Sequence, residues 1–180
     1  MMKKDVRLYT ISVYSEDQTG LLGRIVQIFT RRKINIRSLT TSESEVVGIY
    51  RFTIVVMVTK ETIERLVQQI EKIIDVLAAF YSEEDDIVFQ EIALYKMKTS
   101  TLLDTDVENL IRRNNARVLY IDHDFCVIEK TGHKYETLEL FEILKPFGIL
   151  EFVRSGRIAI SKSLTNLNTY LEKLGIEVDK

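Results

Sequence analysis

The sequence predicts an α+β protein built from two consecutive domains that share the order βαββαβ. The first reason is periodicity, because short segments of alternating apolar residues are separated by segments in which apolar residues recur at helical spacing. The second reason is the acidic run Glu83–Asp86, which interrupts that pattern and is typical of a solvated linker. We therefore expect a first domain over residues 1–84, a second over 85–162, and a tail over 163–180 with a candidate helix at 164–174.

Each element of the first domain follows from a local pattern. The first strand is β-rich, and the second helix carries an apolar stripe that includes Ile63, Leu66 and Ile70. Thr62, alone or with Thr59, is expected to cap that helix. The predicted order is strand 6–14, helix 21–32, strand 35–42, strand 48–58, helix 60–74 and strand 76–82.

The second domain repeats this order, although its sequence does not obviously match that of the first. Asp122–Asp124 predicts a hairpin turn between two short strands, and Pro146–Gly148 predicts the end of the last helix. The predicted order is strand 87–98, helix 104–114, strand 116–122, strand 125–131, helix 134–146 and strand 149–154.

The turn Asp17–Gly20 ends one apolar strand and opens an amphipathic helix, so a helix N-terminus faces the loop. Unpaired N–H groups and the positive end of the helix dipole suit a carboxylate, and Gly20 allows a ligand to approach the backbone closely. The sequence therefore predicts a site for a small ligand such as an amino acid. Taken alone, the same residues are also an ordinary helix start, and that structural interpretation is then the favoured one.

The charge balance argues against two common classes of partner. The 25 Lys and Arg residues nearly balance the 27 Asp and Glu residues, and the net charge of −2 offers no electrostatic footprint for nucleic acid or an anionic membrane. RNA-recognition modules share the βαββαβ order, and Tyr50 and Phe52 alternate as their aromatics do. No Lys/Arg-Gly-Phe sequence accompanies these two residues, so we expect no nucleic-acid partner.

The N-terminal segment and the cysteine content bear on location. Lys3 and Lys4 are followed by an alternating strand, so we expect neither a signal peptide nor a transmembrane helix, and a cytoplasmic location. Cys126 is the single cysteine and lies in an apolar run, which predicts a buried structural thiol and no intrachain disulfide.

No residue cluster supports an independent enzyme. His123 falls in a hairpin turn and His133 just before a helix, so both are expected to be surface histidines, with no metal site. Asp104 and Asp106 lie near a helix start, where carboxylates cap the helix and complement its dipole. Ser155 and Gly156 do not form a nucleophile elbow.

Association is expected from domain size. Two domains of roughly 85 residues each bury only about 60% of their unfolded surface, so each is marginally stable alone. An open sheet with helices on one face leaves its other face and its edges available to a second copy. We therefore expect a homodimer at least.

Segments in both halves match one known family. The first half looks like an ACT domain, and the second half carries a P-F-G-I…R-S-G run that is more specific. The matching segments are Asp17–Arg24, Phe29, Asn35–Leu39, Glu91–Leu94, Ala116–Asp122 and Lys145–Arg157. Together they make most of the chain resemble the regulatory (small) subunits of acetolactate synthase, also called acetohydroxyacid synthase.

This resemblance implies two ferredoxin-like βαββαβ domains, an ACT domain and an ACT-like C-terminal domain, in a subunit without a catalytic site. Such a subunit forms a homodimer, binds and activates the large subunit, and confers feedback inhibition by valine in branched-chain amino-acid biosynthesis. Thiamine diphosphate, FAD and magnesium then belong to the large subunit, and this chain carries no cofactor. Arg154 and Arg157 are expected either to contact the large subunit or simply to be solvated.

The resemblance also implies an effector site on six residues. They are Asp17, Thr19, Gly20, Leu21, Leu22 and Asn35. Many family members have Asn where this chain has Asp17, whose carboxylate is able to pair with the effector's ammonium group. The side chain of valine is expected to meet apolar groups such as Leu21, and Asn35 to bridge two copies of the chain.

Two further expectations follow. The polar segment Thr41–Gly48 is expected to be a loop at the edge of the effector site.

The alternative function is an ACT-domain amino-acid sensor that regulates a different enzyme or a transporter. If residues Ala116–Gly156 bind the large subunit, their deletion is expected to abolish activation while the ACT dimer stays folded.

Overall fold

The computed structural model describes residues 5–103 and 105–163. These residues form an α+β fold with two compact units, residues 5–88 together with 157–163, and residues 89–156. The strands are β1 (Val6–Glu16), β2 (Ile36–Glu43), β3 (Ile49–Thr59), β4 (Val76–Ser82), β5 (Ile87–Lys98), β6 (Arg117–Ile121), β7 (Phe125–Gly132), β8 (Ile149–Arg154) and β9 (Ile158–Ser161). The α-helices are α1 (Leu21–Arg31), α2 (Lys60–Ile70), α3 (Thr105–Arg113) and α4 (Lys134–Leu144).

The first unit is an antiparallel sheet in the order β2-β3-β1-β4, with α1 and α2 packed on one face. Alternation along β1 decides which face is covered, because Tyr9, Ile11 and Val13 are at most 1% exposed and point to the helices. Leu21, Ile25 and Phe29 of α1 recur at a spacing of four residues and are also buried in this core. The ferredoxin-like βαββαβ prediction is confirmed.

The opposite face of this sheet is also covered. Thr10 and Thr53 point away from the helices, yet they are only 2% and 5% exposed. Nη1 of Arg157 donates a hydrogen bond to Oγ1 of Thr10 at 3.0 Å, and Arg51 donates to the carbonyl of Ala159. Residues 157–159 therefore lie on the helix-free face of the first unit.

Arg157 is consequently not a solvated arginine. Its side chain is buried, and Nη2 donates to Oε1 of Glu84 at 2.8 Å. Its backbone N–H donates to Oγ of Ser38 at 2.9 Å. Arg154 also differs from the expectation, since Nη1 lies 3.3 Å from Oε1 of the buried Glu91.

The unit boundaries fall after Val88 and after Gly156, whereas the sequence predicted boundaries after residues 84 and 162. The difference arises because the acidic run does more than link the domains. Asp86 accepts a backbone hydrogen bond from Lys162 at 2.9 Å, and Glu84 holds Arg157. The candidate helix at 164–174 and Asp104 lie outside the described residues.

The second unit is an antiparallel sheet in the order β6-β7-β5-β8 with α3 and α4 against one face. Ala93, Tyr95 and Met97 alternate inward from β5 and are fully buried. Cys126 is buried and free among them, as predicted, and burial raises the pKa of its thiol. A short 3₁₀ turn follows α4 and ends at Gly148, whose φ of 88° is left-handed.

Three local expectations are revised. His123 is exposed as expected. His133, in contrast, is half-buried and caps α4, and its backbone N–H donates to Oε2 of Glu136 at 2.6 Å. Thr59 precedes α2, where its hydroxyl bonds that of Thr62 at 2.9 Å instead of a backbone amide. The predicted loop at 41–48 is shorter, because β2 continues to Glu43.

Candidate functional site

The turn between β1 and α1 is held by backbone hydrogen bonds. The N–H of Asp17 donates to the carbonyl of Gly48 at 3.1 Å, and the N–H of Leu21 donates to the carbonyl of Gln18 at 3.2 Å. Gly20 precedes the helix with a left-handed φ of 83°, a conformation in which a side chain would be strained. The loop is therefore fixed in shape by its backbone and does not depend on a side-chain cap.

The first turn of α1 leaves hydrogen-bond donors available. Within the described ranges, no acceptor is bonded to the N–H groups of Leu22 and Gly23, and no acidic residue occupies this turn. A Cβ placed on Gly20 or on Gly23 would meet no heavy atom within 4 Å, so there is open space beside both glycines. Unbonded amides at a helix N-terminus are the kind of donors that bind a carboxylate.

A carboxylate lies at the entry to the same turn. Asp17 is exposed, and its charge is the largest cause that raises the pKa of the Tyr50 hydroxyl. A second cause is Glu43, whose Oε1 accepts a hydrogen bond from that hydroxyl at 3.3 Å. The turn therefore combines a negative group and free amide donors, which is the pattern that the ammonium and carboxylate of an amino acid require.

The two leucines of the turn differ in their environment. Leu21 is 2% exposed and belongs to the core, and its contact with an effector stays a prediction. Leu22 is 38% exposed and is the apolar side chain that this turn presents to solvent. Thr19 is also exposed, so Asp17, Thr19, Gly20 and Leu22 make up the exposed surface of this turn.

Asn35 is not part of this surface in a single chain. It precedes β2, whose first residue, Ile36, pairs with Val56 and through it aligns with Tyr9 of β1. The Asp17 turn instead follows Glu16, seven positions further along β1, so the two ends are about 23 Å apart at the usual strand rise. A site that uses both Asp17 and Asn35 needs more than one copy of the chain.

The loop Ser44–Gly48 lies next to the Asp17 turn through the Gly48 carbonyl. Gly48 is left-handed, with a φ of 78°, and Oγ of Ser44 accepts from the N–H of Val46 at 3.1 Å. Sequence reasoning placed this loop near the site but missed Tyr50 and the bond to Gly48. The register of β3 against β1, which brings Tyr50 level with Ser15, is the signal that identifies them.

Tyr50 and Phe52 also decide the RNA alternative. Phe52 is 5% exposed inside the helix-packed core, and Tyr50 packs against the same core. They therefore do not form an exposed aromatic platform for stacking bases.

In residues 5–103 and 105–163 no group of three His, Cys, Asp or Glu side chains is placed to hold a metal ion. No helix in those ranges is long and apolar enough to cross a membrane.

Two family profiles match the chain. Residues 11–78 match an ACT domain of the acetohydroxyacid synthase small-subunit type, and residues 90–163 match the domain described as the small subunit of acetolactate synthase. The acetolactate synthase small subunit of Mycolicibacterium smegmatis is 32% identical over 161 residues, which cover 89% of this chain and 95% of that protein. The chain belongs to the acetolactate synthase small-subunit family.

Two further relatives agree with this assignment. The acetolactate synthase small subunit of Bacillus subtilis is 35% identical over 157 residues, which cover 87% of this chain and 90% of that protein. The crystal structure of the acetolactate synthase small subunit from Thermotoga maritima is 24% identical and has the same fold, with a TM-score of 0.79 over 88% of this chain and 99% of that one. The chain is thus a regulatory small subunit with an ACT domain in its first unit.

Proposed function

We propose that this chain activates the catalytic large subunit of acetolactate synthase and makes that enzyme sensitive to valine. The observation that supports an effector at the Asp17 turn is the pair of unbonded amides of Leu22 and Gly23, next to open space beside Gly20 and Gly23. The carboxylate of valine binds these amides, its ammonium group pairs with Asp17, and its isopropyl group contacts Leu22. Thiamine diphosphate, FAD and magnesium belong to the large subunit, and this chain supplies regulation without catalysis.

A homodimer completes the site. β2 is an edge strand of the first sheet, and antiparallel pairing of β2 with β2 of a second copy would set the start of one strand beside the end of the other. Asn35 of the second copy then lies beside the Ser44–Gly48 loop, which contacts the Asp17 turn. This arrangement brings Asn35 of one copy close to Asp17 of the other, although the two residues lie far apart within a single chain.

Regulation then requires no chemistry from this chain. Valine that binds more tightly to one dimer arrangement than to another shifts the complex towards the less active state. A coupling free energy of about 1–3 kcal/mol is enough for a change of about 5- to 150-fold in affinity between the linked sites.

The test is acetolactate formation from pyruvate by the large subunit of the same organism, with and without this chain, over a valine titration. The proposal predicts stimulation that valine reverses. Absence of stimulation would contradict it and would favour the alternative, an ACT-domain sensor of a different enzyme or a transporter. Isoleucine and leucine titrations in the same assay identify the preferred branched-chain effector.

A further inference from the structure

A basic groove lies between α1 and α2 on the helical face of the first unit. It encloses a cavity of about 470 Å³. The lining residues are Ile28, Arg31, Arg32, Gln69, Lys72 and Ile73. The effector surface described above shares none of these residues, so the groove needs a separate explanation.

Among the described residues, three cations of this groove have no carboxylate partner. Nε of Arg32 donates to Oε1 of Gln69 at 3.1 Å, and Nη2 of Arg31 donates to Oε1 of Gln27 at 3.2 Å, so both arginines bond neutral amides. In the described part of the chain, neither arginine nor Lys72 is within ion-pair distance of an Asp or Glu. A helix C-terminus accounts for a cation such as Arg31, but not for three cations that converge on one groove.

The groove also has apolar surface. Ile28 and Ile73 are half-buried and pack against the core, and they supply fixed apolar contacts between the cations. Ile74, which follows Ile73 in the chain, is 92% exposed and adds apolar surface at this end of α2. Apolar contacts with an arginine-rich polar rim are the composition of protein–protein interfaces.

The other face of the first unit is already occupied by the chain itself. Arg157 and Ala159 contact the sheet there, and Thr10 and Thr53 beneath them are almost fully buried. Residues 157–159 lie on the opposite face and do not cover the helical face of this unit. Helix α1 carries Gly20 at its start and Arg31 at its end, which links the effector turn to the groove over about 16 Å of rigid helix.

We propose that this groove docks an acidic segment of the catalytic large subunit that also carries an apolar side chain. Carboxylates of the segment pair with Arg31, Arg32 and Lys72, and the apolar side chain packs on Ile73 and Ile74. This inference rests on the proposed function, because it names the surface through which activation is delivered. An effector bound at the first turn of α1 then acts on the partner through the last turn of the same helix.

The test compares two variants of the full chain with the same change in net charge. One is Arg32→Glu with Lys72→Glu in the groove, and the control is Arg113→Glu with Lys134→Glu, exposed residues of the second unit. The measured quantity is the chain concentration that gives half-maximal stimulation of the large subunit. We expect the groove variant to raise it at least tenfold and the control to leave it within twofold. Valine binding to the isolated groove variant, measured by calorimetry, should equal that of the wild type and shows that it is folded.

Ile74→Asp supplies an independent check, because so exposed a side chain contributes little to folding. It should also weaken stimulation while valine still binds. Equal stimulation by the wild type and the groove variant would overturn the docking inference and leave the proposed function intact. Loss in the control but not in the groove variant would place the docking surface in the second unit. Failure of the wild type to stimulate or bind the large subunit would overturn the proposed function, and the docking inference with it.

Discussion

Replacement of Arg157 by methionine tests whether residues 157–163, which follow the second unit in the chain, stabilise the first unit. The guanidinium makes a buried hydrogen bond to Thr10 and an ion pair with Glu84, whose side chain is 48% exposed. The buried charged bond contributes about 1.5–3 kcal/mol, whereas the pair with the half-exposed Glu84 contributes about 0.5–1 kcal/mol after screening. Methionine retains most of the apolar stem, so we expect a loss of about 2–4 kcal/mol in the free energy of unfolding.

The measurement is urea unfolding followed by circular dichroism, at one fixed protein concentration because the chain is expected to associate. Arg112→Met is the matched control, because Arg112 also pairs with a carboxylate, Glu108, at 2.6 Å, but the two side chains are 76% and 55% exposed. The control should lose less than about 1 kcal/mol. If the free energy of unfolding falls by the same amount in both variants, the contacts of Arg157 do not stabilise residues 157–159 on the first sheet, and the reasoning is refuted.

Three further predictions concern the effector turn and the buried thiol. Gly20→Ala strains a residue with a φ of 83° and should weaken valine binding measured by calorimetry, at a stability cost of about 1 kcal/mol. Its control, Gly23→Ala, has no positive φ and should be neutral or slightly stabilising to folding. Asp17→Asn removes the charge opposite the ammonium group and should weaken valine binding at least several-fold, and unchanged affinity would exclude that pairing. Cys126 should resist a thiol reagent at pH 8 until urea unfolds the chain, because burial raises the pKa of its thiol and the thiolate is the reacting species. The same shift predicts a pH dependence of stability. Above pH 9, the ordinary thiol pKa, the thiol ionises in the unfolded chain before it ionises in the folded one, so the free energy of unfolding should fall as the pH rises.

Local periodicity carried most of the fold prediction. The order of strands and helices in both units follows from alternation and helical spacing, which depend only on neighbouring residues. The buried face of α1 was predicted only in part. Leu22, Ile25, Val26 and Phe29 recur at helical spacing in the sequence, but Leu22 is 38% exposed, and Leu21 joins Ile25 and Phe29 in the core instead.

Long-range contacts were not predictable in this way. Arg157 and Thr10 are 147 positions apart, and nothing near either residue indicates that they bond. The acidic run was read as a linker for the same reason, since the partner of Glu84 lies far along the chain. The candidate site was predicted from its turn residues, but the positions of Gly48 and Tyr50 beside it depend on the pairing of β3 with β1.

The return of residues 157–159 to the first sheet also affects how the protein is synthesised. The first unit cannot complete its helix-free face until the whole of the second unit, residues 89–156, has left the ribosome. At about 5–20 residues per second, this interval lasts several seconds, during which Thr10 and Thr53 face water. During that interval the first unit of a nascent chain is incomplete. The rate at which the second unit is translated therefore determines when the first unit can finish folding.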